Sequence, residues 1–261
     1  MTSIKGRLAF LMIILLLPAC HKMVQRDPGF AFPESPPETQ RILSMIKARN
    51  DAAASFKGIG KISVWDRNGS TTSRAAWAGS VDGRLRIEFL ALPGQPVAKF
   101  IYDGENYYFL SQTDQQLHQK SCSDPMLTQV SGVPIRVSEV VELLAGGIPI
   151  YDHDSVALEP LASPSSPKDG YVLILKKRWI GVVQKIYLDH SRSVVEKIEI
   201  YKWWKKAYQA VFAQVRQVNN HRIPFDLTIS NGQNHGFRVT SDRYWADVVV
   251  KPSMFSLEPG D

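Results

Sequence analysis

Side chains able to do covalent or acid–base chemistry are few and scattered in this 261-residue sequence. The thiols are Cys20 and Cys122, and the imidazoles are His21, His118, His153, His190, His221 and His235. A nucleophilic Cys122 would need a base such as His118, and nothing in Lys120-Ser121-Cys122-Ser123 prepares that pair. Asp152-His153-Asp154 is the one histidine setting with ligand-like spacing; it reads as a polar loop, so no metal site is expected. Two cysteines exclude a disulfide-stapled scaffold and a four-cysteine zinc site. No Gly-x-Ser-x-Gly elbow, P-loop or HExxH helix occurs. Neither catalytic residues nor a cofactor are expected, and covalent chemistry is expected at Cys20 alone.

Cys20 draws that expectation from what precedes it. Lys5 and Arg7 are followed by ten apolar residues from Leu8 to Leu17, then Pro18 and Ala19. As helix the run covers about 15 Å, half a bilayer's hydrocarbon, which suits a secretory signal peptide over residues 1–19 and not a spanning segment. Leu17-Pro18-Ala19-Cys20 resembles the bacterial lipobox, whose cysteine thiol takes a diacylglyceryl group and whose new amino terminus is itself acylated, as by palmitate. An ordinary signal peptide with a chance cysteine is the bland alternative. With more than one acyl chain, at about 0.8 kcal/mol per buried methylene, attachment becomes stable. His21 stands where inner-membrane lipoproteins often carry Asp, so the expected location is the periplasmic face of the bacterial outer membrane.

Behind the anchor the composition is that of a folded chain, 44% hydrophobic, 21% charged and 10% aromatic. Thirty-one basic against 25 acidic residues give +6, compatible with anionic lipid but without the concentrated basic face of a nucleic-acid binder. Residues 20–37, with Pro28, Pro33, Pro36 and Pro37, read as a tether, and 38–261 as a single domain.

Within that domain, Ile42, Met45, Ile46, Ala53 and Phe56 recur at helical spacing, predicting an amphipathic helix over 38–56. The pattern then becomes alternating, clearest where Leu85, Ile87 and Phe89 share a face. Further strands are predicted at 57–66, 72–80, 96–103, 106–111, 170–176, 181–189, 194–202, 207–218, 223–230 and 236–245. Turn pairs lie between them: Asn68-Gly69, Asp82-Gly83, Asp103-Gly104 and Asn231-Gly232. Asp124-Pro125 and Ser138 each read as the start of a short helix, and 159–169 as a loop. The fold class expected is mainly β with α: about eleven antiparallel strands in a half-open barrel covered by a few helices, with an apolar hollow if the helices leave space.

Several of these segments carry a resemblance. Phe89-Leu90 runs into Ala91-Leu92-Pro93-Gly94; Val97 to Tyr102 leads to Asp103-Gly104 and Tyr107-Tyr108-Phe109. Gly132-Val133-Pro134-Ile135 is followed by Leu143-Leu144-Ala145-Gly146 and Ile148-Pro149. Over residues 83–149 this pattern resembles the LolA and LolB lipoprotein-carrier superfamily, closest to its LolB branch of outer-membrane lipoprotein receptors. The family loop places proline before leucine, whereas here Leu92 precedes Pro93, and Leu143 stands where the LolB branch has tryptophan.

The resemblance implies a protein that receives acylated lipoproteins from a periplasmic LolA-type carrier, holds their acyl chains in a hydrophobic cavity and inserts them into outer-membrane lipid. Leu92, Pro93 and Gly94 would form the membrane-insertion loop, and Val140, Leu143 and Leu144 a lid helix. A bare leucine at a loop tip gains roughly 2 kcal/mol on entering lipid; the alternative is a leucine tucked under its own turn. Trp203 and Trp204, inside Tyr201-Lys202-Trp203-Trp204-Lys205-Lys206, are a possible second membrane contact or a solvated hairpin tip. The other functional reading is an envelope-assembly lipoprotein of the same fold that binds another amphiphile or a protein partner.

Overall fold

The computed structural model describes residues 36–50, 53–91, 96–111, 116–161 and 170–257. Helix α1 (Pro37–Asn50) precedes β1 (Ser55–Asp66), β2 (Gly69–Ser80), β3 (Leu85–Leu90), β4 (Pro96–Tyr102), β5 (Asn106–Ser111) and β6 (Gln116–Ser121). Helices α2 (Thr128–Ser131) and α3 (Val137–Leu144) follow. The chain continues through β7 (Ser155–Leu161), β8 (Gly170–Lys177), β9 (Gly181–Leu188), β10 (Val195–Lys202), β11 (Lys205–Val218), β12 (His221–Ser230) and β13 (Gly236–Ala246), ending in a 3-10 turn at Pro252–Phe255.

All thirteen strands join one antiparallel sheet in the order 6-5-4-3-2-1-13-12-11-10-9-8-7. The chain therefore starts in the middle of the sheet, meanders to one edge, crosses by way of α2 and α3 to the other edge, and meanders back. The return is sealed where β13 pairs with β1 from Phe56↔Ala246 to Trp65↔Gly236. Bulges at Ile59/Gly60, Phe89/Leu90, Leu175/Lys176 and Ile200/Tyr201 bend the strands, and the sheet stays open.

Side chains alternate as the register requires. One face presents Phe56, Ile62, Trp77, Leu85 and Phe100 on one side of the β1–β13 junction, and Leu227, Ile198, Ile186 and Leu173 on the other. Against this face pack Ile42, Leu43 and Ile46 of α1 and Val137, Val140, Val141, Leu143 and Leu144 of α3. Two glycines make room for rings on the neighbouring strand: a Cβ at Gly58 would lie 2.3 Å from the Trp77 indole, and one at Gly79 would lie 2.4 Å from the Phe56 ring.

Beneath α3 lies a buried polar network. Glu139 accepts hydrogen bonds from the Arg136 N–H (2.8 Å), the Tyr208 hydroxyl (3.0 Å) and the Tyr151 hydroxyl. Burial, then the Glu139 carboxylate, push both tyrosines up. Asn50 at the end of α1 donates to Glu142 (2.8 Å) and to the Ile148 carbonyl (2.6 Å), and accepts from the Ile148 N–H (2.7 Å). Gln184, fully buried on β9, accepts from the Tyr151 N–H and donates to the Pro149 carbonyl. The strand of chain leaving α3 is thus pinned by α1 and by the sheet. Burial, with Glu139 adding to it, pushes Glu142 up to about 7.

Several expectations are corrected. The described residues form thirteen strands, not eleven; the two missed, β6 and β7, are the sheet's edges. The loop expected from residue 159 starts later, since Pro160 pairs with Tyr171 within β7, and edge strands are where proline is tolerated. Helix α1 stops at Asn50, because Phe56 belongs to β1; within α1 Leu43 is buried and Met45 exposed. Ser138 is not a helix cap: its N–H (3.0 Å) and hydroxyl (2.8 Å) donate to Asp124, which sits outside any helix at φ 52° and braces the first turn of α3 from a distance. The β12–β13 connection is a longer loop than the Asn231-Gly232 pair predicts, with Asn231 accepting from the N–H groups of Gln233 and His235.

Two outcomes are expected. Gly58→Val, which drives a side chain into Trp77, lowers stability by about 1–3 kcal/mol in denaturant titration, whereas Gly232→Ala, which meets nothing within 4 Å, leaves it unchanged. For Glu142 the folded value lies above the ordinary 4.5, so the folded chain holds the proton more tightly than the unfolded one. Its contribution is full below about pH 4.5 and is lost as pH rises through about 7, a fall of at most about 3 kcal/mol that partial exposure to solvent reduces. In Glu142→Gln, thermal melts from pH 4 to 8 lack that descending limb.

Candidate functional site

The inner face of the curved sheet is filled over β8–β12 and at Phe56, Trp77, Leu85 and Phe100 of β1–β4, and is less covered at a few positions beyond them. Over β8–β12 the inner residues Leu173, Leu175, Ile186, Ile198, Tyr208 and Ile229 are fully covered. Over β1–β5 the inner Val64, Ile87, Phe89, Tyr107 and Phe109 pack against the core and stay half-buried. Beside Val64 and Phe89 stands α2, a single turn of four residues.

Between α2 and this wall lies a cavity of about 770 Å³. Ile62, Val64 and Phe89 supply its apolar floor, and Ser73 and Thr71 stand at inward positions where larger side chains would close it. Its other lining is polar: Asp66, Asn68, Ser70, Thr128, Gln129 and His235. The volume falls within the roughly 300–1,000 Å³ of small-ligand sites.

The α2 side of this cavity is fixed by Gly132, which ends α2 at φ 69°. A Cβ there would lie 2.6 Å from the His235 ring, and Asn231 donates to the Gly132 carbonyl at 2.8 Å. The Nδ1 atom of His235 is buried without a hydrogen-bond partner among the described residues. What this arrangement does chemically is bury apolar surface beside polar groups.

Of the residues singled out by sequence, Cys20, Leu92, Pro93 and Gly94 lie outside the described residues. The strand ends flanking that loop, Leu90 and Pro96, are at the same end of the sheet as the β1–β2 turn that lines the cavity. Val140, Leu143 and Leu144 are buried in the core, at most 5% exposed. Trp203 and Trp204 are exposed on the β10–β11 turn. Sequence reasoning passed over Trp179 and Ile180, exposed on the β8–β9 turn, although Lys176-Lys177-Arg178-Trp179 has the same basic–aromatic composition.

The Asp152-His153-Asp154 triplet braces strands: Asp152 pairs with Lys177, and Asp154 accepts the Arg178 N–H at 2.5 Å. Among the described residues no cluster of three ligating side chains exists. The Cys122 thiol is half-buried and donates weakly to the Ser123 carbonyl at 3.7 Å. No described helix is long and apolar enough to cross a membrane.

Next to the exposed tryptophans, the outer face of β10 holds Glu199. It accepts hydrogen bonds from the hydroxyls of Tyr187 and Tyr201, each 2.8 Å, and pairs with Lys197 at 3.2 Å and Lys206 at 3.4 Å. Burial alone would raise this carboxyl, but the hydrogen bonds from Tyr201 and Tyr187 and the Lys197 charge outweigh it and hold Glu199 at about 2.

No protein-family model matches the sequence, and no curated protein does. Solved structures do match its fold. A domain described as an outer membrane lipoprotein-sorting protein from Vibrio parahaemolyticus superposes with TM-score 0.53 at 13% identity, over 82% of this chain and 94% of that one. A DUF1329 family protein from Desulfovibrio piger gives 0.52 at 10% identity, over 84% and 95%. A LolA superfamily protein from Nitrosomonas europaea gives 0.51 at 11% identity, over 84% and 97%. The architecture is therefore the one these proteins share, an open antiparallel sheet wrapped around a few helices.

The Glu199 cluster gives a measurable consequence. Its folded value lies below the ordinary 4.5, so its contribution is complete above that pH and is lost as pH falls through about 2. Glu199→Gln is expected to cost about 1–3 kcal/mol at pH 7. Acid titration of the wild type followed by circular dichroism should then converge with that of the variant near pH 2.

Proposed function

We propose that this chain is a lipoprotein carrier of the LolA fold that works at the outer membrane: anchored through Cys20, it accepts lipoproteins from a periplasmic LolA-type carrier by their acyl chains and delivers them to outer-membrane lipid. The observation that carries this reading is the cavity of about 770 Å³ against the half-buried wall of Val64 and Phe89. The fold shared with a lipoprotein-sorting domain and a LolA superfamily protein supports it. No nucleotide or cofactor is needed, because each methylene leaving water contributes about 0.8 kcal/mol and moves only toward another apolar site. Leu92, between strand ends at the cavity's end of the sheet, is the side chain proposed to enter the bilayer.

One observation favours a second reading. The polar side of the cavity, with Asp66, Asn68 and the unpartnered His235 Nδ1, suits an amphiphile that lodges its head group there, as an envelope-assembly lipoprotein of this fold would require.

The test mixes the purified chain with a radiolabelled triacylated lipoprotein bound to its periplasmic carrier. Label is expected to move to this chain; Ser73→Phe, which fills the cavity from β2, is expected to reduce uptake at least about tenfold, from burial of comparable apolar area. Leu92→Glu should leave uptake intact and slow release into liposomes. No transfer, with a fluorescent fatty acid still displaced by Ser73→Phe, rejects the lipoprotein reading in favour of the second.

A further inference from the structure

Three of the six tryptophans, Trp179, Trp203 and Trp204, are 87%, 78% and 69% exposed, so each leaves most of its ring in water with little packing to hold it there. All three also adopt left-handed backbone, at φ 66°, 51° and 61°. Bulky side chains avoid that region, and the two-residue turn between Lys202 and Lys205 needs positive φ at both positions, which is why Asn-Gly is preferred in such turns. Local backbone preference and burial both argue against tryptophan here. Residues that break local rules without an internal gain mark function.

The two turns meet. Strands β8 to β11 are consecutive neighbours, so the β8–β9 and β10–β11 turns lie side by side at one end of the sheet. Trp204 packs over Gly181, its Nε1 3.4 Å from where a Cβ would stand. Ile180, 37% exposed, adds to the same tip.

Charge surrounds the rings. The nearby acids are committed: Asp152 to Lys177, and Glu199 to Lys197 and Lys206. Arg178 lies over the Trp179 ring at 5.6 Å, while Lys202 and Lys205 flank the tryptophan pair without an ion pair among the described residues. Amphipathic rings beside uncommitted cations match the head-group zone of a bilayer bearing negative charge.

We propose that these two turns form one docking tip that seats Trp179, Trp203 and Trp204 in the interface of a bilayer containing anionic phospholipid. The same end of the sheet carries the cavity and the ends of β3 and β4, so docking by this tip turns the cavity's end toward lipid. This docking does not depend on the cavity taking lipoproteins, and a chain that binds no acyl cargo still docks.

The test uses the full chain with vesicles of brominated phosphatidylcholine and phosphatidylglycerol, reading tryptophan quenching, with flotation to establish that the chain is vesicle-bound. Strong quenching is expected in the wild type. In Trp179→Asn/Trp203→Asn/Trp204→Gly, whose new residues suit the turns, the melting temperature is unchanged or higher and the remaining tryptophans are unquenched. Arg178→Glu/Lys205→Glu, with every tryptophan present, should lower the quench to the level the wild type shows in vesicles lacking phosphatidylglycerol. Unquenched tryptophans in vesicle-bound wild type overturn the proposal and leave the tip to a protein partner. Quenching that survives the tryptophan replacements, or that ignores the charge reversal, overturns it as well.

Discussion

Everything in this molecule depends on the pairing of its first and last strands. Without β1 against β13 the chain would be two meanders of six and seven strands, each with another unpaired edge, and open edges invite association. Joined, they make one sheet whose thirteen strands, at about 4.8 Å each, span an arc of about 60 Å. Among the described residues two helices of more than one turn cover the concave face: the 14 residues of α1 and the 8 of α3, about 21 Å and 12 Å long. They cannot cover it all. A less covered stretch of inner wall follows from sheet width against helix length, and it includes Val64 and Phe89, beside which the single turn of α2 stands.

That relation also explains what the amino-acid sequence made legible. Strand interiors such as Leu85, Ile87 and Phe89 read clearly because burial of one face forces strict alternation. The edge strands did not. Gln116–Ser121 has one apolar residue, Leu117, and even that is 49% exposed; Ser155–Leu161 contains a proline. With a single partner, β6 has little to bury and takes its composition from solvent, whereas β7 buries Val156 but is broken in pattern by Pro160. The helical periodicity through Ala53 and Phe56 was real as burial and wrong as helix, since a buried residue just before β1 and an inward position on it continue a helix's spacing by chance.

The tryptophan tip was legible as composition and not as geometry. Trp203-Trp204 among lysines stood out, while Arg178-Trp179-Ile180 did not, because what unites them is strand order: residues some 25 apart come together only when β9 lies between β8 and β10. Likewise no local motif announces the cavity. It is made by small inward residues on β2, by the left-handed Gly132 and by a loop from β12–β13, each unremarkable alone. The resemblance carried by Gly132-Val133-Pro134-Ile135 pointed to the correct architecture because its glycine and its buried valine and isoleucine are what the crossover beneath α3 requires.

The mixed lining of the cavity bears on direction. In a bilayer every methylene of an acyl chain is surrounded by hydrocarbon and gains about 0.8 kcal/mol over water. In the proposed reading a chain in the cavity would meet Val64 and Phe89 on one side and Asn68, Ser70 and Gln129 on the other, so part of its surface would face groups otherwise solvated. The gain per methylene is smaller there than in lipid, and over many methylenes the difference accumulates. A wall that is only half apolar can hold a chain against water and still release it to a membrane, which a fully greasy interior would do less readily.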